Sequence, residues 1–572
     1  MTNIFGTKRK ATDFFTQLEY REGQRKTIEQ IEDAFNRGKG IVILEAPTGS
    51  GKSRIAEAFA RQANNTYILT PQKILQDQYE RDLVGKDIKI VKGRREYKCL
   101  QSDGNCDVGL CKRESGILKA IGGEMKTFPK KCAKCPYHCA LRVAKESPIT
   151  IHNFDSFYYQ RDIEPRELLI VDECHNIESK YLNFISLSFS DKKYLYLENL
   201  PIPDYKTLEE YDPFLKELEN YLSEQKDFLE DKRDNERDYD GKKIILSEEE
   251  SKKLDFCKSN LSKLERFFSS RKTGGKWIHK FFEDKKCFKI VEFKPLFVQP
   301  WIRSSLFPMG KHILMMSATI CDPEIFAESI GLENMNEIEF IREDSYFPIE
   351  NHSIVKRNVG LMSYKKIDES LPKLISGIEK ILAIHPNQKG IIQTHTEPIA
   401  NFIREHLDDP RLTFNKKFDI YKINRKTPKD TFLEHKEKKN SVIVASGLRE
   451  GIDLKEELSE FQIICKVPYL DLGDKRIREK KDMDQEWYRW MSTIIFIQML
   501  GRSVRSKDDK VITYILDSCF SYFYIQNKRF FPPHLQKIIS DSFFKNKDVK
   551  TTVKPKIKKI NVFELVESKK FS

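Results

Sequence analysis

The chain has 572 residues, of which 39% are hydrophobic and 33% charged, with a formal net charge of +13. That length exceeds what one hydrophobic core organises, so two to four domains are expected. No apolar run of about 18 residues occurs, so neither a membrane-spanning helix nor a membrane partner is expected, and the basic balance favours a polyanionic partner without identifying it.

The first thirty residues lack the apolar stretch of a secretory signal, so the expectation is an intracellular protein. It would be cytoplasmic and nucleoid-associated, or nuclear in a eukaryote. The first readable segment, YREGQRKTIEQI from Tyr20, opens a helical pattern and carries Gln24. An apolar strand then runs into APTGSGKS, which comprises Ala46, Pro47, Thr48, Gly49, Ser50, Gly51, Lys52 and Ser53. This is a phosphate-binding loop. Its glycines let backbone N–H groups curl round phosphates, Lys52 reaches the β and γ oxygens of ATP, and Ser53 can ligate Mg²⁺. Ala46 stands where such loops usually have their first glycine, which is tolerable if that turn does not need positive φ.

Six of the twelve cysteines fall between Cys99 and Cys139. In a reducing compartment such a cluster reads as metal ligands rather than disulfides. On spacing alone, four thiolates suit zinc or an iron-sulfur cluster equally. Cys174, Cys257, Cys287, Cys321, Cys465 and Cys519 are scattered among apolar neighbours and read as small core residues. The segment HNFDSFYYQR offers Phe154, Phe157, Tyr158 and Tyr159 beside Arg161, either as stacking aromatics for a nucleic-acid strand or as a buried aromatic helix.

The next strand, LLIVDECHN, ends in Asp172 and Glu173, one carboxylate for the Mg²⁺ shell and one to polarise an attacking water. His175 follows, where it could couple the phosphate site to MSATI at 316–320 and to a second domain. Between these strands lies a mainly helical insert. Tyr211, Phe214, Leu215, Leu218, Tyr221, Leu222, Phe228 and Leu229 follow one helical spacing, and a second helix starts at a capping box on Ser247. Beyond residues 345–355, the runs GIIQTHTE, SVIVASG, FQIICKVP and VITYILD repeat the buried-strand pattern. There SGLREGIDL carries Glu450, Gly451 and Asp453, and FIQMLGRSVRSKDD carries Gln498, Arg502 and Arg505, two guanidiniums one turn apart that suit charge stabilisation at a γ-phosphate. The last residues, 546–572, read as a basic tail.

The ordered set YREGQRKTIEQI, APTGSGKS, TPQKILQDQ, GRREYKC, KCPYHCALR, VDECHN, MSATI, EGIDL and QMLGRSVRSKDD resembles the XPD and DinG family of superfamily-two helicases. The resemblance implies an α/β fold of two RecA-like parallel-sheet domains, the first interrupted by an iron-sulfur domain and a helical arch. The expected boundaries are 1–95, 150–185 and 290–348 for the first domain, 96–149 for the iron-sulfur domain, 186–289 for the arch and 349–545 for the second domain. It implies that Gln24 contacts adenine. It also implies a [4Fe-4S] cluster, with Cys99 and Cys135 matching the outer ligands and Cys106 and Cys111 taken as the inner pair. Cys132 is the rival inner ligand, and Cys139 is read as a helix-face thiol. The function implied is 5′ to 3′ DNA unwinding by a monomer on single-stranded DNA and junctions, in repair or replication. Alternatives are a translocase or R-loop remover without processive unwinding, and a non-catalytic, metal-stapled nucleic-acid scaffold.

Overall fold

The computed structural model describes residues 3–83, 85, 87–114, 134–160, 163–191, 200–237, 239–241, 244–284, 286–407, 419–422, 428–438, 440–446, 458–503 and 509–545. Arg161, Cys132, Glu450, Gly451, Asp453, Arg505 and the tail therefore lie outside the described residues.

The strands, in chain order, are β1 (Ile41–Glu45), β2 (Thr66–Thr70), β3 (Ile88–Val91), β4 (Ile149–Asn153), β5 (Arg166–Asp172), β6 (Leu187–Ser190), β7 (Trp277–Glu283), β8 (Lys289–Pro295), β9 (Gly310–Ser317), β10 (Ile338–Arg342), β11 (His352–Gly360), β12 (Gly390–Gln393), β13 (Asp419–Lys422), β14 (Ser441–Ala445), β15 (Phe461–Ile464) and β16 (Val511–Asp517). Two parallel sheets result, seven-stranded in the order β10-β1-β9-β5-β2-β4-β3 and six-stranded in the order β11-β16-β15-β12-β14-β13. Central strands covered on both faces must be apolar throughout. β1, β2, β5, β9, β12, β14, β15 and β16 are the runs the sequence made legible, and Val42, Leu44, Leu169, Ile170, Leu314, Met316, Ile391 and Ile463 in them are fully buried. The phosphate loop, the acidic pair and Ser317 all follow or end such strands, so they gather at the carboxyl edge of the first sheet.

The insert is built as a long antiparallel helix pair on a small sheet. The helix Tyr211–Asp234 packs against the helix Glu248–Lys272, which begins at the expected cap: the Ser247 hydroxyl accepts from Glu250 N at 3.1 Å while the Glu250 carboxylate accepts from Ser247 N at 2.8 Å. Tyr211, Leu215, Leu218 and Leu222 are buried as the spacing requires. Phe228 is not: it is 59% exposed, because it lies off the stripe that meets the second helix. The antiparallel sheet β6-β8-β7, absent from the sequence reading, carries the pair. Cys174, Cys257, Cys321 and Cys465 are buried as expected. Cys287 is instead an exposed residue at φ 59° in the turn joining β7 to β8.

Candidate active site

The phosphate loop is shaped by its glycines. Gly49 and Gly51 sit at φ 84° and 89°, a region L side chains rarely adopt, and a Cβ on Gly51 would lie 2.3 Å from Gln24 Nε2. Ala46 is not among the residues with positive φ, so alanine carries no backbone cost there. Lys52 opens the helix Lys52–Ala63 and donates to the carbonyls of Ala46 (3.0 Å) and Pro47 (3.2 Å). The Ser50 hydroxyl is buried without a hydrogen-bond partner. Gln24 is buried, and its amide donates to Gly51 O at 3.1 Å while its carbonyl accepts from Arg21 N at 3.0 Å.

Across the loop, Asp172 ends β5 and Glu173 takes φ 48°, ψ 49°, a left-handed conformation that a non-glycine holds only where its surroundings enforce it. The Tyr79 hydroxyl donates to Asp172 Oδ2 at 3.1 Å, and Glu173 N donates to Asp172 Oδ1 at 3.0 Å. Burial, reinforced by the neighbouring Glu173 charge and opposed by Lys52, pushes the Asp172 carboxyl up to about 7. A buried carboxylate held up in this way beside a second carboxylate fits a Mg²⁺ site, since a cation there relieves the repulsion.

His175 is the junction of the site. Its Nδ1 lies 2.7 Å from Ser317 Oγ, and the Gln498 amide donates to its Nε2 at 2.6 Å. With Nε2 accepting, Nδ1 carries the proton and points it at Ser317, itself hydrogen-bonded to Thr319 N at 3.0 Å. Gln498 also reaches Thr319 Oγ1 at 3.3 Å. Gln498 belongs to the second unit, near the end of the helix Gln485–Leu500, and the buried Arg502 follows it one turn on. Gln24, Lys52, Asp172, Glu173, His175, Gln498 and Arg502 line one cleft of about 1170 Å³ between the two parallel-sheet units. Two supports were not legible in the sequence. One is Tyr79. The other is Glu45, whose buried carboxylate accepts from Ile320 N and Cys321 N, both at 2.8 Å, and from Arg342 Nε at 2.5 Å, tying the phosphate-loop strand to the MSATI loop. A charged residue closing the apolar run GIVILE was the signal for Glu45.

Cys106, Cys111 and Cys135 lie close together. Cys106 is hydrogen-bonded to both Cys111 and Cys135, and the Arg94 guanidinium donates to Cys111 Sγ at 3.3 Å while lying over the Tyr137 ring. Although burial opposes it, the Cys99 thiol is held below its usual range by hydrogen bonds from the Ser102 hydroxyl and backbone groups of Gln101, Leu110 and Ser102. Among the described residues no three His, Cys, Asp or Glu side chains form a closed metal group. The all-sulfur donor set, with N–H and guanidinium donors aimed at it, nonetheless fits an iron-sulfur cluster in its chemistry. Cys139 sits on the helix Pro136–Glu146, 3.5 Å from the Arg142 guanidinium. Of the aromatic segment, Phe154 and Phe157 are buried and Tyr158 packs on Tyr181, as in the aromatic-helix reading, while Tyr159 remains 60% exposed.

Two protein-family models match the chain: the type III restriction enzyme, res subunit, over residues 17–202, and the helicase C-terminal domain over residues 379–537. Among solved structures, an XPD helicase is similar over 90% of this chain and 98% of its own, with 16% identity and a TM-score of 0.59. In domain content the chain carries a helicase C-terminal domain, and in fold it is similar to XPD helicases. An apo XPD structure aligns with 88% of this helicase and 98% of its own chain (14% identity, TM-score 0.55), and Xpd4 of S. tokodaii with 88% and 97% (15%, 0.52). No curated protein matches the sequence. The helicase domains make this an ATP-dependent, ATP-hydrolysing enzyme that acts on nucleic acid. Among the described residues, no helix is long and apolar enough to cross a membrane.

Proposed function

We propose that this helicase moves 5′ to 3′ on single-stranded DNA and separates duplexes at junctions, as a monomer serving DNA repair or replication. The observation that carries the motor reading is the junction at His175, where one imidazole touches the MSATI segment through Ser317 and the second unit through Gln498. A change at the adjacent Glu173 therefore has a direct path to the second unit. The polarity and the repair role rest on the resemblance in motif order.

In this reading Lys52 holds the β and γ phosphates, Gln24 contacts adenine, and Glu173 orients the attacking water and takes its proton. Ser53 and Asp172 would hold Mg²⁺, which neutralises phosphate charge. Arg502, with Arg505, offsets charge developing at the γ-phosphate from the second unit, alongside the loop of Glu450, Gly451 and Asp453. Cys99, Cys106, Cys111 and Cys135 would hold a [4Fe-4S] cluster, which supplies a rigid covalent staple for residues 96–149. The domain boundaries proposed are those read from the sequence.

Duplexes carrying either a 5′ or a 3′ single-stranded tail test the function. ATP-dependent unwinding of the 5′-tailed substrate alone is expected; unwinding only from a 3′ tail overturns the polarity, and strand-stimulated ATP turnover without separation replaces unwinding by translocation. Anaerobically purified protein should be brown, with Cys106→Ser bleaching it and Cys139→Ser leaving the colour. A colourless zinc protein would remove the cluster from the proposal.

A further inference from the structure

The second unit touches the segment after Glu173 at a second place, outside the cleft. Glu178, in the first turn of the helix Ile177–Ile185, is 4% exposed. Its Oε1 accepts from Arg476 at 2.7 Å and from Lys480 at 2.5 Å, both on the helix Lys475–Met483, and its Oε2 accepts from the Trp487 indole at 3.1 Å. Arg476 and Lys480 are themselves only 3% and 4% exposed. The Lys480 ammonium lies 3.8 Å from the centre of the Trp487 ring, and Arg476 Nε donates to Pro295 O at 2.9 Å, so each charge is matched by a partner. These groups are about three hundred residues apart in sequence and meet only when the two units are docked.

Trp487 and Gln498 share one helix. Eleven residues separate them, about 16 Å at the rise of an α-helix, and between them the Trp490 indole donates to Ile320 O at 2.8 Å. The helix is thus attached to the first unit at both ends, by a dry ionic cluster at Trp487 and by a polar contact at Gln498. Separating the ionic cluster would leave buried charges without partners, a cost of several fold more than that of one neutral hydrogen bond.

We propose that Glu178 is a positioning residue: with Arg476, Lys480 and Trp487 it forms the fixed pivot about which the second unit turns, so that the Gln498 and Arg502 end of the helix swings over the nucleotide while the Trp487 end stays in place. Only the significance of the swing for hydrolysis rests on the proposed role of Arg502. The pivot itself is a statement about motion.

The test uses the full-length protein with a fluorophore pair at Lys311 and Tyr364, exposed positions on the two units. The distance change on adding a non-hydrolysable ATP analogue is measured together with kcat and KM for DNA-stimulated ATP turnover. Glu178→Gln should abolish the defined distance change and lower kcat at least tenfold, with KM for ATP within about twofold of wild type. A protein that is less heat-stable yet keeps the wild-type distance change and kcat would assign Glu178 a merely structural role and overturn the pivot. Should Glu178→Gln not fold, Trp487→Phe, which removes the indole donor and keeps an aromatic ring, decides by the same readings: a diminished distance change supports the pivot and an unchanged one overturns it. Arg502→Ala, run in parallel, should lose turnover but keep the distance change; if it keeps turnover, the catalytic reading of Arg502 fails and the pivot stands.

Discussion

Two polar clusters, three residues apart on one segment, join the halves of this helicase by different physics. At His175 the contact to the second unit is neutral, the Gln498 amide on an imidazole that also meets a serine hydroxyl and, at 3.5 Å, the Glu173 carboxylate of its own unit, at the wall of the nucleotide cleft. At Glu178 they are ionic and sealed from solvent, one carboxylate against a guanidinium, an ammonium and an indole. A neutral hydrogen bond that can exchange with water contributes about 0.5–1.5 kcal/mol. Removing one partner of a buried ion pair costs about 3–5 kcal/mol. The difference teaches which contact yields when the cleft works: the one beside the chemistry is cheap to break and remake, and the one behind it is not.

The largest effects should come from the cleft and leave the joint alone. Arg502→Ala should lower hydrolysis by about 10³ to 10⁵-fold, by analogy with arginine fingers. Glu173→Gln should bind ATP as wild type does while turnover falls by about 10² to 10⁴-fold, the range for losing a general base. Lys52→Ala should weaken binding and turnover together, because it removes a charge from the phosphates. Nucleotide binding by filter retention and single-turnover hydrolysis separate these cases; equal loss of ATP binding in Glu173→Gln and Lys52→Ala would merge two roles that the geometry keeps apart.

Gln498→Ala sharpens the comparison. It removes only the neutral side of the junction, so ATP affinity should hold while the stimulation of ATPase by single-stranded DNA falls about tenfold, matching a lost interaction of about 1.4 kcal/mol. Stimulation of wild-type size in that variant would deny the His175 junction its coupling role.

Acid should act on the other cluster. Although burial pushes the other way, Lys480 and Arg476 hold the Glu178 carboxyl down to about 2, against its ordinary 4.5. Its folded pKa is depressed, so the stability it contributes is complete above about 4.5 and is lost as pH falls toward about 2. The groups facing it are Arg476 and Lys480 on one helix and Trp487 on the next, with Asp484 acting on Lys480 from the turn between them. The difference in unfolding free energy between wild type and Glu178→Gln should therefore shrink across that window. A gap that stays constant down to pH 2 would show that the charge on Glu178 is not what holds the joint.

How far the sequence reached depended on where each element sits. Eight strands were legible because they are central or near-central and buried on both faces. Of the five others in the parallel sheets, β3, β10, β11 and β13 are edge strands, open on one side, and their sequences mix charge with apolar residues: IKIV, IEFIR, HSIVKRNVG and DIYK. The fifth, β4, lies next to an edge and ends in His152 and Asn153. The small sheet of β6, β7 and β8 is antiparallel and half-covered, which gives no continuous apolar run. Phe228 and Cys287 were misplaced for a related reason: hydrophobicity alone does not say which face of a helix or which turn will find a partner.

By itself the sequence made the local patterns of the cleft legible. A phosphate loop and a strand ending in two carboxylates are local patterns, since the backbone turn or the adjacent carboxylates come from residues a few positions apart. Tertiary structure decided the partners. Glu45 holding Ile320, Cys321 and Arg342, Tyr79 on Asp172, and Glu178 between Arg476, Lys480 and Trp487 each join residues from distant parts of the chain. A lone charge or hydroxyl in a sequence reads as solvated surface, and only packing that removes its water and supplies an opposite group makes it part of the machine.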